Sequence, residues 1–138
     1  MSIVKEVTAL KQAAEQYRDT DHHTIETTAP GECWAQGDLG IQYLGRTKPS
    51  GIKPMKQPNA QLAPGTTQGS RHILANIGQC KLYELEQPHP LVGPIIEAPE
   101  GVTVEHPEHG DCTLKEPGFY GIRYQRAHDL TELRRVQD

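Results

Sequence analysis

The positions of glycine and proline divide this chain of 138 residues into two regions. All 13 glycines and all 11 prolines lie at or after Pro30, and the first 29 residues contain neither. Proline lacks a backbone N–H donor and glycine costs more entropy to order, so a stretch without either can sustain a helix. We therefore predict an N-terminal helix and junction over residues 1–29 and a turn-rich β domain over residues 30–138.

Apolar side chains recur at helical spacing near the N-terminus, at Ile3, Val7, Leu10, Ala14 and Tyr17. Most positions between them are charged or polar, so the pattern predicts an amphipathic helix over about residues 3–17. An isolated helix of this length is marginal in water. We expect its apolar face to pack on the β-rich domain or to bind a protein partner, which includes a second copy of the chain.

Short β-prone segments separated by turn residues make up most of the second region. Their close spacing predicts a mainly β fold, namely a small antiparallel β-barrel or roll. After these segments, an Asp129 cap followed by Glu132 predicts a short C-terminal helical turn. The predicted strands are Thr24–Thr28, Cys33–Ala35, Leu39–Leu44, His72–Asn76, Lys81–Leu85, Pro94–Ala98, Val102–His106 and Phe119–Gln125.

Bulk composition excludes several classes of protein. The sequence has no run of about 18 apolar residues, which excludes a membrane-spanning helix. Its N-terminus lacks the basic stretch and apolar core of a secretory signal, so we expect a cytoplasmic protein. The three cysteines have no CxxC spacing, which argues against a disulfide framework. The formal charge of −4 argues against general nucleic-acid binding.

One long segment, Gly45–Ser70, is both basic and rich in proline. It carries Arg46, Lys48, Lys53 and Lys56 and contains no acidic residue. A segment of this length in a compact domain is normally functional or disordered. It is either a solvated loop or a place where phosphate or another anion binds, and a nucleic acid is a further, weaker alternative as partner.

Three histidines form the one candidate chemical site. His106 and His109 lie in a turn with H-x-x-H spacing, and His72 follows another turn. Three imidazoles around an open position are typical of catalytic zinc centres and of iron or manganese sites. Water on such a metal could act as nucleophile, with Glu105 or Glu108 as general base. In the other interpretation the histidines bond to the backbone and stabilise a tight turn.

Four further polar residues complete the predicted site. Gln36, Asp38, Gln125 and Arg126 are expected to form a polar network at the barrel edge or to contact a partner. The predicted function is thus a small binding or assembly module with a candidate histidine-lined metal site. The alternative is a metal-dependent enzyme, either a hydrolase or a cupin-type oxygenase.

The order of four short motifs resembles a functionally uncharacterised family of small bacterial proteins. The motifs are Gln36-Gly-Asp-Leu, Gly65-x-x-x-Gly-x-x-His, His106-Pro-Glu-His-Gly-Asp and Gly118-x-Tyr-x-Ile-x-x-Gln-Arg. The resemblance covers about residues 35–136 and implies a shared site but no activity. This chain departs from the family pattern at Ser70, where the first histidine of a His-x-His pair would stand, and at Ala127-His128, which replaces Glu-Tyr.

A second resemblance, in architecture, is to the cupins. The segment Gly110-Asp-Cys-Thr-Leu-Lys-Glu-Pro-Gly is similar to the second cupin motif. The first cupin motif, a His-x-His followed by Glu, is missing. The resemblance therefore implies a β architecture and not a cupin ligand set.

Overall fold

A computed structural model describes residues 22–65 and 71–125 of the chain. The helix predicted over residues 3–17 and the helical turn predicted after Asp129 lie outside these residues. The described residues contain ten strands and one short 3-10 helix, Ile77–Gln79. No helix in this described part of the chain is long and apolar enough to cross a membrane.

The ten strands are short and follow one another along the described chain. They are β1 (His22–Ile25), β2 (Cys33–Gln36), β3 (Leu39–Gly45), β4 (Ile52–Pro54), β5 (Ile73–Leu74), β6 (Lys81–Leu85), β7 (Val92–Ala98), β8 (Val102–Glu105), β9 (Asp111–Leu114) and β10 (Gly118–Tyr124).

These strands form two open sheets. The four-stranded sheet has the order β1-β9-β8-β5, and the six-stranded sheet has the order β2-β3-β10-β7-β6-β4. The predicted antiparallel barrel or roll is wrong, because neither sheet closes on its first strand and because β1 pairs with β9 in parallel. The period of two in a sequence predicts a strand and its buried face, but it does not identify the neighbouring strand.

Both sheets contribute to one shared core. β3 alternates buried and half-buried residues along its length, so that Leu39 and Ile41 face inward. Ile122 of β10 packs in the same cluster as Val104 and Leu114 of the four-stranded sheet. Burial of each such side chain contributes about 1.5–3 kcal/mol. A separate cluster of buried residues comprises Ile52, Tyr83, Ile95 and Phe119.

Two tyrosines donate hydrogen bonds to the backbone that precedes β10. The rings of Tyr43 and Tyr120 are tilted against each other with centroids 5.1 Å apart. The Tyr43 hydroxyl donates to the backbone oxygen of Pro117 at 2.6 Å, and the Tyr120 hydroxyl donates to the backbone oxygen of Glu116. These two core side chains therefore also provide hydrogen-bond donors for backbone oxygens in the turn that precedes β10.

A buried cysteine thiol and a half-buried tyrosine hydroxyl predict a loss of stability at alkaline pH. Burial raises the pKa of the Cys112 thiol from 9.0 to about 11 and that of Tyr124 from 10.0 to about 12. The unfolded chain therefore releases these protons first, and the free energy of unfolding falls as pH rises through this window. Urea unfolding at a series of pH values measures the effect.

The Cys112→Ala variant should show a smaller decrease in stability between pH 9.0 and about 11 than the natural chain. Cys33→Ala is the matched control, because the side chain of Cys33 is exposed. A free energy of unfolding that stays constant over this range in the natural chain would contradict the prediction.

Candidate functional site

The structure brings the three predicted histidines together. His72 directly precedes β5 and His106 directly follows β8, and the pairing of Ile73 with Glu105 sets the two histidines side by side. Their ring centroids lie 4.4 Å apart. The ring of His109 lies 4.5 Å from that of His106 and 6.4 Å from that of His72. Strand register, which sequence spacing does not show, thus creates the cluster.

The amide of Gln36 determines which nitrogen of His72 carries a proton. Its Nε2 donates to the backbone oxygens of Val104 at 2.9 Å and Gly110 at 2.7 Å, so both amide hydrogens are used. The oxygen Oε1 must then face His72 Nδ1, at 2.7 Å, as the acceptor. In a neutral imidazole one nitrogen donates and the other accepts. Nδ1 of His72 is therefore protonated, and in the neutral ring the lone pair is on Nε2.

His106 has the opposite tautomer. Its Nδ1 accepts the backbone N–H of Glu108 at 3.0 Å and that of His109 at 3.2 Å. The lone pair of the neutral ring is therefore on Nδ1, and the proton is on Nε2. This ring organises the turn between β8 and β9, and it is almost fully buried.

The β2–β3 turn, Gln36-Gly37-Asp38, places two more groups at the cluster. Asp38 Oδ1 lies 3.8 Å from His72 Nε2, and the Asp38 side chain is 43% exposed whereas that of His72 is 1% exposed. Gly37 has a φ of 63°, and the His109 ring packs so closely on it that an added Cβ would lie 2.7 Å from Cδ2 and Nε2 of the ring. Asp38 of this turn therefore lies near His72, and Gly37 contacts the ring of His109.

Three further predicted site residues within the described part of the chain lie at the margin of this cluster. Glu105 and Glu108 are exposed, and the contact between Glu108 and His106 is made by the backbone. The backbone N–H of Gln125 donates to the backbone oxygen of Asp38 at 3.2 Å. Arg126 lies outside the described residues. The assignment of general bases therefore stays a prediction.

The side chains of the cluster are not arranged as a complete set of metal ligands. Within residues 22–65 and 71–125, no group of three His, Cys, Asp or Glu side chains is positioned to hold a metal ion. His72 and Asp38 are nevertheless close, and the side chains of Asp38 and His109 are partly exposed. The expected metal site stays a prediction.

The sequence did not predict the roles of Gln36 and Gly37 in the cluster. Gln36 was expected at an edge or a partner surface, yet it is 3% exposed and orients His72. Gly37 is required by its positive φ and by its contact with His109. A glycine between two polar residues at a strand end is a signal for a tight turn, but it does not show which side chain covers the turn.

Replacement of Gln36 should lower the stability of the fold. Gln36→Leu removes the partner of two buried carbonyls and of the His72 Nδ1 proton, so the free energy of unfolding should fall by about 3 kcal/mol or more. Urea unfolding provides the measurement. Gln42→Leu is the control, because the amide of Gln42 makes its bonds to Gly31 and Arg123 at the surface. Similar losses in both variants would show that the buried network contributes little.

Gly37→Ala should both strain the turn and displace His109. Gly51→Ala is a matched control, because Gly51 has a φ of 75° and nothing within 4 Å of an added Cβ. We expect Gly37→Ala to cost about 1–3 kcal/mol more than Gly51→Ala. Only the former should shift the imidazole resonances of His109 in NMR spectra. Unchanged resonances would place His109 elsewhere in solution.

Comparison with known proteins identifies a family without an assigned activity. The sequence profile of a family described as a domain of unknown function (DUF8820) matches residues 35–125. The match spans more than half of the chain and includes the three histidines of the cluster and residues 36–38 of the turn. No curated protein and no solved structure matches the chain, so the resemblance to cupins stays a prediction. The prediction of an uncharacterised family is confirmed, and the chain belongs to the DUF8820 family.

Proposed function

We propose that this chain is a binding module for a divalent transition-metal ion, with His72, His109 and Asp38 as the ligands. The set differs from the sequence prediction by the exchange of His106 for Asp38. Two imidazoles and one carboxylate suit zinc, iron(II) and manganese, and they leave positions open for water or a further ligand.

The contact between Gln36 and His72 carries the proposal. Histidines that bind metals usually donate their second ring N–H to a carboxylate, a carbonyl or water, which orients the ring and raises its basicity. His72 Nδ1 makes such a bond to the Gln36 amide oxygen at 2.7 Å. In the neutral ring Nε2 has the lone pair, and Nε2 lies 3.8 Å from Asp38 Oδ1.

The tautomer of His106 argues against it as a ligand. A metal takes the lone pair of an imidazole, and that of His106 is already held by two backbone N–H groups. Binding of a metal at His106 Nδ1 would break both bonds and open the turn that carries His109. His106 is instead a positioning residue, which holds the backbone of His109 beside the β2–β3 turn.

The distances are compatible with closure around an ion. Two ligand atoms bound about 2.1 Å from one tetrahedral ion lie about 3.4 Å apart. His72 Nε2 and Asp38 Oδ1 are 3.8 Å apart, so a small rotation of the half-exposed carboxylate suffices. His109 contacts the residue next to Asp38 in the same turn and is also half-exposed. The buried ring of His72 thus provides the fixed ligand. The ring of His109 lies nearly parallel to it with centroids 6.4 Å apart, so His109 would turn toward the ion on binding.

Titration of the full-length, untagged chain with Co²⁺ and then Zn²⁺ tests this function. The visible spectrum of Co²⁺ reports nitrogen and oxygen ligands, and competition gives the affinity for Zn²⁺. Asp38→Asn and His109→Gln change half-exposed side chains and should weaken binding on the order of 100-fold. His89→Gln, in an exposed histidine, is the matched control and should leave the affinity unchanged.

The same titration distinguishes the proposed ligands, His72, His109 and Asp38, from the three histidines that the sequence predicted. His106→Asn should weaken binding by about tenfold, less than His109→Gln, because this ring acts only through the turn that carries His109. A loss as large as that of His109→Gln, in a variant with an unchanged unfolding transition, would instead favour the three-histidine set. Absence of saturable binding by the natural chain would refute both.

A further inference from the structure

The basic, proline-rich segment is fastened to the fold along its described part, residues 45–65. Its strand β4 pairs with β6, and the backbone N–H of Met55 donates to the oxygen of Leu82 at 3.0 Å. Further along, the N–H of Leu62 donates to the oxygen of His72 at 2.8 Å, and Leu62 is buried in the core. The described part of the segment is therefore held against the protein at β4 and at Leu62, although most of its side chains are exposed.

A cavity of about 470 Å³ lies beside the part of the segment that pairs with β6. Such a volume is within the range of about 300–1,000 Å³ that is typical of sites for small molecules. It is bounded by the segment, the 3-10 helix and β6, and it is separate from the histidine cluster. Its apolar lining comprises Pro54, Met55, Pro58, Ile77, Leu82 and Tyr83.

The lining is apolar and firmly held. Leu82 and Tyr83 are buried, and the Tyr83 hydroxyl donates to Glu97 Oε1 at 2.7 Å. Cys80 also lines the cavity, and burial raises the pKa of its thiol, which keeps it neutral. An alkyl chain placed here would replace water along a preformed apolar surface.

An exposed cation, Lys81, lines the cavity beside its apolar residues. Lys48 is outside the lining, with its Nζ 5.0 Å from the centroid of the Tyr83 ring. Glu97 lies opposite Lys81 across β6 and β7 and accepts the Tyr83 hydroxyl. The Lys81 ammonium therefore complements an anionic headgroup at the edge of an apolar cavity.

We infer that this cavity binds a monocarboxylate with a medium-length alkyl chain, whose chain lies against Met55, Ile77 and Leu82. Its carboxylate lies at Lys81. Pro54 and Pro58 of the basic segment border the same cavity and limit the flexibility of the cavity wall there. This site and the metal site use different residues, so each can fail without the other.

Isothermal titration of the full-length chain with decanoate, octanoate and hexanoate tests the apolar half of the inference. Affinity should rise by about fourfold for each added methylene, since burial of each gains about 0.8 kcal/mol. Decanol, which has the same chain without the charge, should bind more weakly than decanoate. Absence of decanoate binding, or an affinity that is independent of chain length, would overturn the inference.

A pair of charge reversals tests the ionic half. Lys81→Glu should weaken decanoate binding by at least about tenfold while it leaves decanol binding nearly unchanged. Lys115→Glu is the control, because it changes the net charge equally at an exposed lysine that pairs with Glu26. Equal effects of the two reversals would mean that general charge and not this cavity attracts the ligand.

Discussion

The geometry of the candidate site depends on one buried amide. Gln36 is the last residue of β2, and its side chain reaches two backbone oxygens near β8 and the turn after it. Those two acceptors take both hydrogens of the amide nitrogen, so the amide oxygen has a single orientation and Nδ1 of His72 carries a proton. An unsatisfied carbonyl or N–H in this position would cost about 1–3 kcal/mol, and this cost keeps the network intact.

The basic, proline-rich segment connects the histidine cluster with the second candidate site. On one side its residue Leu62 enters the core and binds the backbone of His72. On the other side Pro54 and Met55 border the apolar cavity. The Tyr124 hydroxyl, which donates to the oxygen of Leu62 at 2.6 Å, fastens the segment to β10. Both candidate sites are therefore built on a rigid frame, which is a requirement for accurate placement of ligands.

Much of the strand content could be predicted from the sequence, since alternation in β3 and β10 and the turn residues between strands are local signals. β9 and β4 were missed. In β9, Cys112 and Leu114 alternate with polar residues over only four positions, and β4 ends at Pro54, which is typical of an edge strand. The two-sheet arrangement could not be predicted, because which strands become neighbours depends on contacts between distant parts of the chain.

The sequence by itself determined the residue types of the site: the polar residues around Gly37, the isolated His72 and the pair His106 and His109. Spacing in a turn was enough to suggest that their rings converge. Only the tertiary structure decided which lone pair each ring presents, because a tautomer depends on the donors and acceptors that face it. For His72 and His106 these are the Gln36 amide and two backbone N–H groups, and they give two identical side chains opposite chemical roles.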